Sequence, residues 1–100
     1  MLQLYNEKPV LISMKQNKSV FSVEFCNVKM KLKMCQFKLF HNYLMNISDN
    51  LTSDTYEVDL LLVRDNLNVT VSLDDFLELS NGVQSVMAKE FGFSRYRHQT

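Results

Sequence analysis

Hydrophobic positions along this chain follow two different periods, and the change from one to the other happens twice. In each case an apolar-rich segment, a short polar turn and a segment that alternates apolar with polar residues follow one another, as in a β-hairpin. The first hairpin is predicted over Val20–Phe25, Cys26-Asn27 and Val28–Lys33, and the second over Tyr56–Val63, Asp65-Asn66 and Leu67–Ser72. The alternation predicts that one side of each returning strand is buried and the other faces water.

Each predicted hairpin is followed by apolar residues spaced three or four apart, which is the period of an amphipathic helix. The first stripe consists of Phe37, Phe40, Leu44 and Ile47, and the second of Phe76, Leu79, Val83, Val86 or Met87, and Phe91. Ser72 is placed to cap the second helix, with Asp74 and Asp75 favourable in its first turn. The pattern thus predicts one helix after each hairpin.

The two halves of this pattern can be superimposed. Laying Ser19–Leu44 on Val58–Val83 brings hairpin onto hairpin and places Phe37 on Phe76 near the start of the helices. We therefore predict an α+β fold built as a tandem ββα pseudo-repeat, in which an antiparallel sheet has two helices packed on one face.

Length and composition fit a single domain over residues 1–100. The chain has 100 residues, of which 46% are hydrophobic, and only two glycines and one proline, so it can bury one compact core. The first ββα unit is predicted at 19–48 and the second at 56–91. An extra strand is expected at an edge over Val10–Met14, and a flexible tail at 92–100.

Charge is balanced overall but not along the chain. Eleven basic and eleven acidic residues give a formal net charge of zero, which provides no overall attraction for nucleic acid or an anionic membrane. The first fifty residues hold seven lysines against three acids, whereas the last fifty hold four basic residues against eight acids. A basic half and an acidic half could attract each other within one molecule or between two.

The cysteines and the apolar runs indicate the cellular compartment of the protein. Two cysteines, Cys26 and Cys35, form no disulfide framework, and we predict that both are free thiols. The longest purely apolar run, Leu60–Val63, is far shorter than the ~20 residues that span a bilayer. The expectation is a cytoplasmic protein without a membrane partner.

A row of lysines offers the clearest candidate contact surface. Lys29, Lys31 and Lys33 alternate with apolar residues, so they belong on the wet face of a half-buried strand. One interpretation is a solvated row of charge that protects a sheet edge, which we favour. The other is a strand that contacts phosphates with help from Lys15 and Lys18, although no aromatic side chain alternates with the lysines to stack on bases.

Basic residues also gather near the C-terminus. Arg95 and Arg97 flank Tyr96 and precede His98, a combination that can bind nucleic acid or an acidic partner. A frayed basic tail is the commoner explanation of such a segment.

The residues that could support catalysis or bind metal are few and scattered. Cys26, Cys35, His41 and His98 are the softer metal ligands, and their spacing matches no metal-binding pattern. Neither cysteine has a histidine placed by a local motif, and Asp74 and Asp75 are explained by the helix dipole. We expect no metal, no cofactor and no enzymatic activity.

One glycine lies inside the second helical stripe. Gly82 costs about 1 kcal/mol of helix propensity relative to alanine. Its counterpart in the superposition is Tyr43, so the helices could cross where a large side chain meets a missing one. Alternatively, Gly82 could let a partner chain approach, or it could be a tolerated weak position.

The segment FCNVKMKL followed by MCQFKLFHNYL, Phe25 to Leu44, together with NLNVTVSLDDFLEL, Asn66 to Leu79, resembles a group of short Bacteroidetes proteins of unassigned function. In that group a hairpin with an Asn-containing turn leads into a helix that opens with phenylalanine. The resemblance covers about two thirds of the chain and implies a small bacterial fold. Several members carry a Cys-x-x-Cys pair ahead of the first hairpin, where this chain has QNKSVF, Gln16 to Phe21.

These observations lead to two functional hypotheses. The first is a non-enzymatic interaction module that self-associates as a homodimer and meets a further protein partner, because the chain has oppositely charged halves and hairpin edges. The second is a nucleic-acid-binding accessory protein that uses Lys29, Lys31, Lys33, Arg95 and Arg97.

Overall fold

The computed structural model describes residues 2–62 and 67–92 and shows an α+β fold. A four-stranded antiparallel sheet has the order β1-β2-β3-β4, and a separate antiparallel hairpin is formed by β5 and β6. The elements in chain order are β1 (Leu2–Glu7), β2 (Val10–Met14), β3 (Val20–Phe25), β4 (Val28–Lys33), α1 (Met34–Asp49), β5 (Glu57–Leu62), β6 (Leu67–Ser72) and α2 (Leu73–Phe91).

The turn between β3 and β4 is the two-residue hairpin turn that the sequence predicts. Cys26 and Asn27 both have positive φ, at 47° and 68°, and Phe25 pairs directly with Val28. Positive φ at both central positions matches the twist of the flanking strands. Asparagine tolerates this left-handed conformation at position 27, whereas Cys26 adopts it without that tolerance. The predicted turn at Asp65-Asn66 lies outside the described residues.

The arrangement of the strands corrects two expectations. The layout is four strands, a helix, two strands and a helix, and the two predicted hairpins belong to different sheets, so the predicted ββα pseudo-repeat is not confirmed. Val10–Met14 is a strand as predicted, but its place at an edge is wrong, because β2 lies between β1 and β3. The edge strands are β1 and β4, and the pairing of β1 with β2 shifts register between Gln3 and Tyr5.

One core joins both helices to the four-stranded sheet. Helix α1 packs against β3 and β4, and α2 packs against β1 and β2. Phe21 of β3 stacks on Phe37 of α1, with ring centroids 4.6 Å apart, and also meets Phe91 of α2 at 5.9 Å. Both helical stripes point inward as predicted. The buried members are Phe37, Phe40, Leu44, Phe76, Leu79, Val83, Val86 and Met87.

The ends of both helices are fixed by local hydrogen bonds. Ser72 caps α2 as predicted, because its Oγ accepts the backbone N–H of Asp75 at 3.2 Å. Gly92 ends the same helix with a left-handed φ of 67°, a conformation that favours glycine. At the start of α1, the Gln36 Oε1 accepts the backbone N–H of Lys33 at 2.9 Å. In the part of the chain that the structure describes, neither helix is both long and apolar enough to cross a bilayer.

The hairpin β5-β6 contributes its inner side to the same core. Val58, Leu60 and Val71 are buried, whereas Glu57, Asp59 and Leu61 are exposed. Both strands pack against α2. The backbone N–H of Leu61 also donates to the Tyr43 hydroxyl of α1 at 2.8 Å. This bond brings β5 beside the second half of α1.

Candidate interaction surface

The lysine row, Lys29, Lys31 and Lys33, lies on β4 at one edge of the four-stranded sheet. All three lysines are exposed, whereas Leu32 between them is buried, so the predicted orientation of this strand is confirmed. The row lies on the outer face of the sheet, opposite the helices. Its role in binding stays a prediction.

The outer face around the lysine row is mostly polar. From the strand pairing, Lys29 shares a cross-strand row with Glu24, Leu11 and Asn6, and Lys31 shares the next with Ser22, Ser13 and Gln3. The Lys29 Nζ lies 3.9 Å from the Glu24 carboxylate, an exposed ion pair of the kind worth about 0–1 kcal/mol. Among the described residues, these cross-strand rows contain no aromatic side chain on which a base could stack.

A second surface is an open groove of about 400 Å³ between α1 and β5. Tyr43, Asn46 and Ile47 line it from the helix, and Glu57, Val58 and Asp59 line it from the strand. Its floor is partly apolar, and its carboxylates belong to alternate residues of one strand. We call this feature the acidic groove.

Among the described residues that line the acidic groove, the charged ones, Glu57 and Asp59, are both acidic. The last turn of α1, which the structure describes in full, contains no basic residue to offset the negative end of the helix dipole. Asp59 is held by Thr70, whose hydroxyl donates to its carboxylate at 2.6 Å. Within residues 2–62 and 67–92, Glu57 takes part in no ion pair. The groove is therefore suited to cationic groups on flexible apolar stems.

The sequence analysis missed the acidic groove because its two walls are joined only by tertiary structure. The available signal was the alternation of Glu57 and Asp59 with Val58 and Leu60, which places both acids on the wet side of a half-buried strand. Nothing local pairs that strand with the second half of α1.

A half-buried tyrosine joins the edge strand β1 to α2. The Tyr5 hydroxyl donates to the Glu78 carboxylate, and the Tyr5 ring packs against Gly82 one turn further along the helix. Burial, followed by that hydrogen bond and the negative charges of Glu78 and Glu7, raises the pKa of Tyr5 to about 12. The phenol therefore stays protonated at neutral pH, and its role is to hold β1 on the helix.

Replacing Tyr5 with phenylalanine is expected to make stability less sensitive to alkaline pH. The contribution of the phenol is fully present below pH 10, its ordinary pKa, because both states are then protonated. Between pH 10 and about 12 the unfolded chain ionises first, so the wild type loses stability as pH rises. Urea unfolding at about pH 9 and about pH 11.5 should show a larger fall for wild type than for Tyr5→Phe. Equal falls in the two proteins would contradict this role.

The candidate metal ligands and nucleophiles are not brought together. Cys26 lies in the β3-β4 turn, where its Sγ is 3.5 Å from the Asp75 carboxylate, whereas Cys35 is exposed on α1. Burial, and then Asp75, raise the pKa of the Cys26 thiol, which lowers its reactivity. His41 is buried in the core, with 1% of its surface exposed. Within the described ranges, no group of three His, Cys, Asp or Glu residues could hold a metal ion.

The predicted basic tail follows the last described residue. Gly92 is the last described residue, so Arg95, Arg97 and His98 lie outside the described residues. The surfaces that remain are the lysine row and the acidic groove.

A scan against family models and searches of curated proteins and solved structures gave no significant match to this chain.

Proposed function

We propose that this protein is a small non-enzymatic module that self-associates through surfaces of opposite charge. The observation that carries the proposal is the presence of two exposed, complementary features on one domain, the lysine row and the acidic groove. Complementary charge speeds encounter and fixes the orientation of partners, even where each single ion pair adds little affinity. A dimer follows if both features are used reciprocally.

Several observations support this proposal over edge-to-edge pairing of strands. The lysines on β4 and the register shift in β1 are features that discourage a free sheet edge from pairing with another chain. Association is therefore expected to use side chains on exposed faces. The free thiols of Cys26 and Cys35 suit a cytoplasmic location, which we also propose. From the sequence pattern we further propose that the chain belongs to the Bacteroidetes group and contains a ββα pseudo-repeat.

Analytical ultracentrifugation tests the proposed function. At low ionic strength the wild-type protein is expected to pass from monomer to dimer between low and high micromolar concentration. Raising the salt to about 0.5 M should weaken the association, because exposed charges are screened. A monomer at every concentration in low salt would show that the proposal is wrong.

A second candidate function is binding of nucleic acid by the lysine row, with Arg95 and Arg97 as further contacts. The observation that favours it is the exposure of all three lysines on one outer face. Against it stand the zero net charge, the Glu24 carboxylate beside Lys29 and the lack of stacking residues in the described cross-strand rows. Fluorescence anisotropy with mixed DNA and RNA oligonucleotides distinguishes it, since Lys29→Gln/Lys31→Gln/Lys33→Gln should abolish salt-sensitive binding.

A further inference from the structure

We infer that the lysine row of one copy docks in the acidic groove of a second copy, and that a two-fold pair of such contacts closes the dimer. This inference rests on the proposed self-association and names the surface that performs it. Charge complementarity identifies the lysine row as the occupant of the acidic groove. Three lysine ammonium groups would face two carboxylates and the C-terminal end of α1.

The spacing of the charges on the two surfaces is matched. Lys29, Lys31 and Lys33 are alternate residues of one strand, and Glu57 and Asp59 are alternate residues of another. Alternate residues of a strand point the same way and lie roughly 6.5–7 Å apart. Adjacent lysines of one copy can therefore meet the two carboxylates of another in register.

The groove also suits the rest of the lysine side chain. Ile47 and Val58 give it an apolar lining, while Glu57 and Asp59 provide carboxylates on the same strand. Lysine buries its four-carbon stem along apolar surface while keeping the ammonium near polar groups. A groove of about 400 Å³ has room for such stems.

The contact is between copies because the two surfaces lie too far apart within one. Lys33 immediately precedes α1, whereas Tyr43, the first groove residue on that helix, is ten residues further along. At 1.5 Å per residue this separation is about 15 Å along the helix axis. Within the described part of the chain, neither Lys33 nor Glu57 forms an ion pair.

A reciprocal contact gives a closed assembly. Each copy has one lysine row and one acidic groove, so a two-fold axis lets each copy give and receive the same contact. The resulting interface contains two identical sets of charge pairs.

Charge reversal tests this arrangement with an internal rescue. The row variant is Lys29→Glu/Lys31→Glu/Lys33→Glu, and the groove variant is Glu57→Lys/Asp59→Lys. Each variant alone sets like charges against each other at both contacts, so self-association should weaken on the order of tenfold or more. An equimolar mixture restores attraction at both contacts and should form a heterodimer. Lys8→Glu/Lys89→Glu, which changes charge between β1 and β2 and at an exposed position of α2, should associate like wild type.

The outcomes separate this inference from the proposed function. If the wild type associates in a salt-sensitive way but the row and groove variants do so equally well, the pairing of row with groove is wrong while charge-dependent self-association stands. If both variants are monomeric and folded by circular dichroism but their mixture stays monomeric, the pairing of row with groove is also wrong. A monomeric wild type would overturn both proposals.

Discussion

Replacing Phe21 with alanine is expected to lower the free energy of unfolding by about 3–5 kcal/mol. The Phe21 side chain is 0% exposed, and its ring meets Phe37 of α1 and Phe91 of α2, so it joins the sheet to both helices. Alanine would leave a cavity between three elements that cannot all move inward. Because small domains have about 5–15 kcal/mol of stability, this loss should populate the unfolded state or sharply lower the urea midpoint.

The control for Phe21 is an apolar residue outside the core. Leu39 lies on α1 with 66% of its surface exposed, so Leu39→Ala should change stability by about 0.5 kcal/mol or less. Both variants can be compared by urea unfolding followed through the helical circular dichroism signal. A loss below about 1 kcal/mol for Phe21→Ala would mean that the two helices do not meet on this ring.

Local signals were sufficient for much of the fold. The bounds of β3 follow from its apolar-rich composition and the turn at Cys26-Asn27, and those of β4 and β6 follow from period-two alternation. Both helices follow from their apolar stripes, and Ser72 marks the start of α2 because its side chain can accept the backbone N–H of Asp75. In each case the residues that determine the element are close together in sequence.

Pairings between distant residues were not predictable in the same way. The segment LQLYNE mixes apolar and polar residues, and as β1 it pairs with an irregular register that obscures any alternation. Its main anchor, the bond from Tyr5 to Glu78, joins residues 73 positions apart. Without β1, the strand Val10–Met14 could only be expected at an edge.

The two surfaces of the candidate site also differ in whether local sequence could predict them. The lysine row could be predicted because one strand carries all of it and alternation alone orients it. The acidic groove could not, because it exists only where β5 comes beside the second half of α1, held by the bond from Leu61 to Tyr43. Sequence therefore identified one of the two surfaces that the proposed dimer would use.

Gly82 is the position where a larger residue should have the second largest effect. A Cβ added there would lie 2.7 Å from two ring carbons of Tyr5, closer than side-chain contacts allow. One of the three interpretations left open by the sequence set Gly82 against Tyr43 at a helix crossing, whereas the ring that fills the space is Tyr5 of β1. Replacing Gly82 with leucine should destabilise the fold by about 3 kcal/mol, because the overpacking outweighs a gain of about 1 kcal/mol in helix propensity.

A double-mutant cycle with Tyr5→Ala isolates the cause of that effect. Once the ring is removed, the leucine of Gly82→Leu has space against β1, so the substitution should become neutral or stabilising relative to Tyr5→Ala alone. Asn81→Leu, at an exposed neighbouring position of α2, controls for added apolar surface and should be nearly neutral in both backgrounds. The same loss for Gly82→Leu with and without the Tyr5 ring would contradict the close contact. If Gly82→Leu is destabilising in the wild type but stabilising without the Tyr5 ring, glycine is required at position 82 because the Tyr5 ring of β1 packs against the helix there.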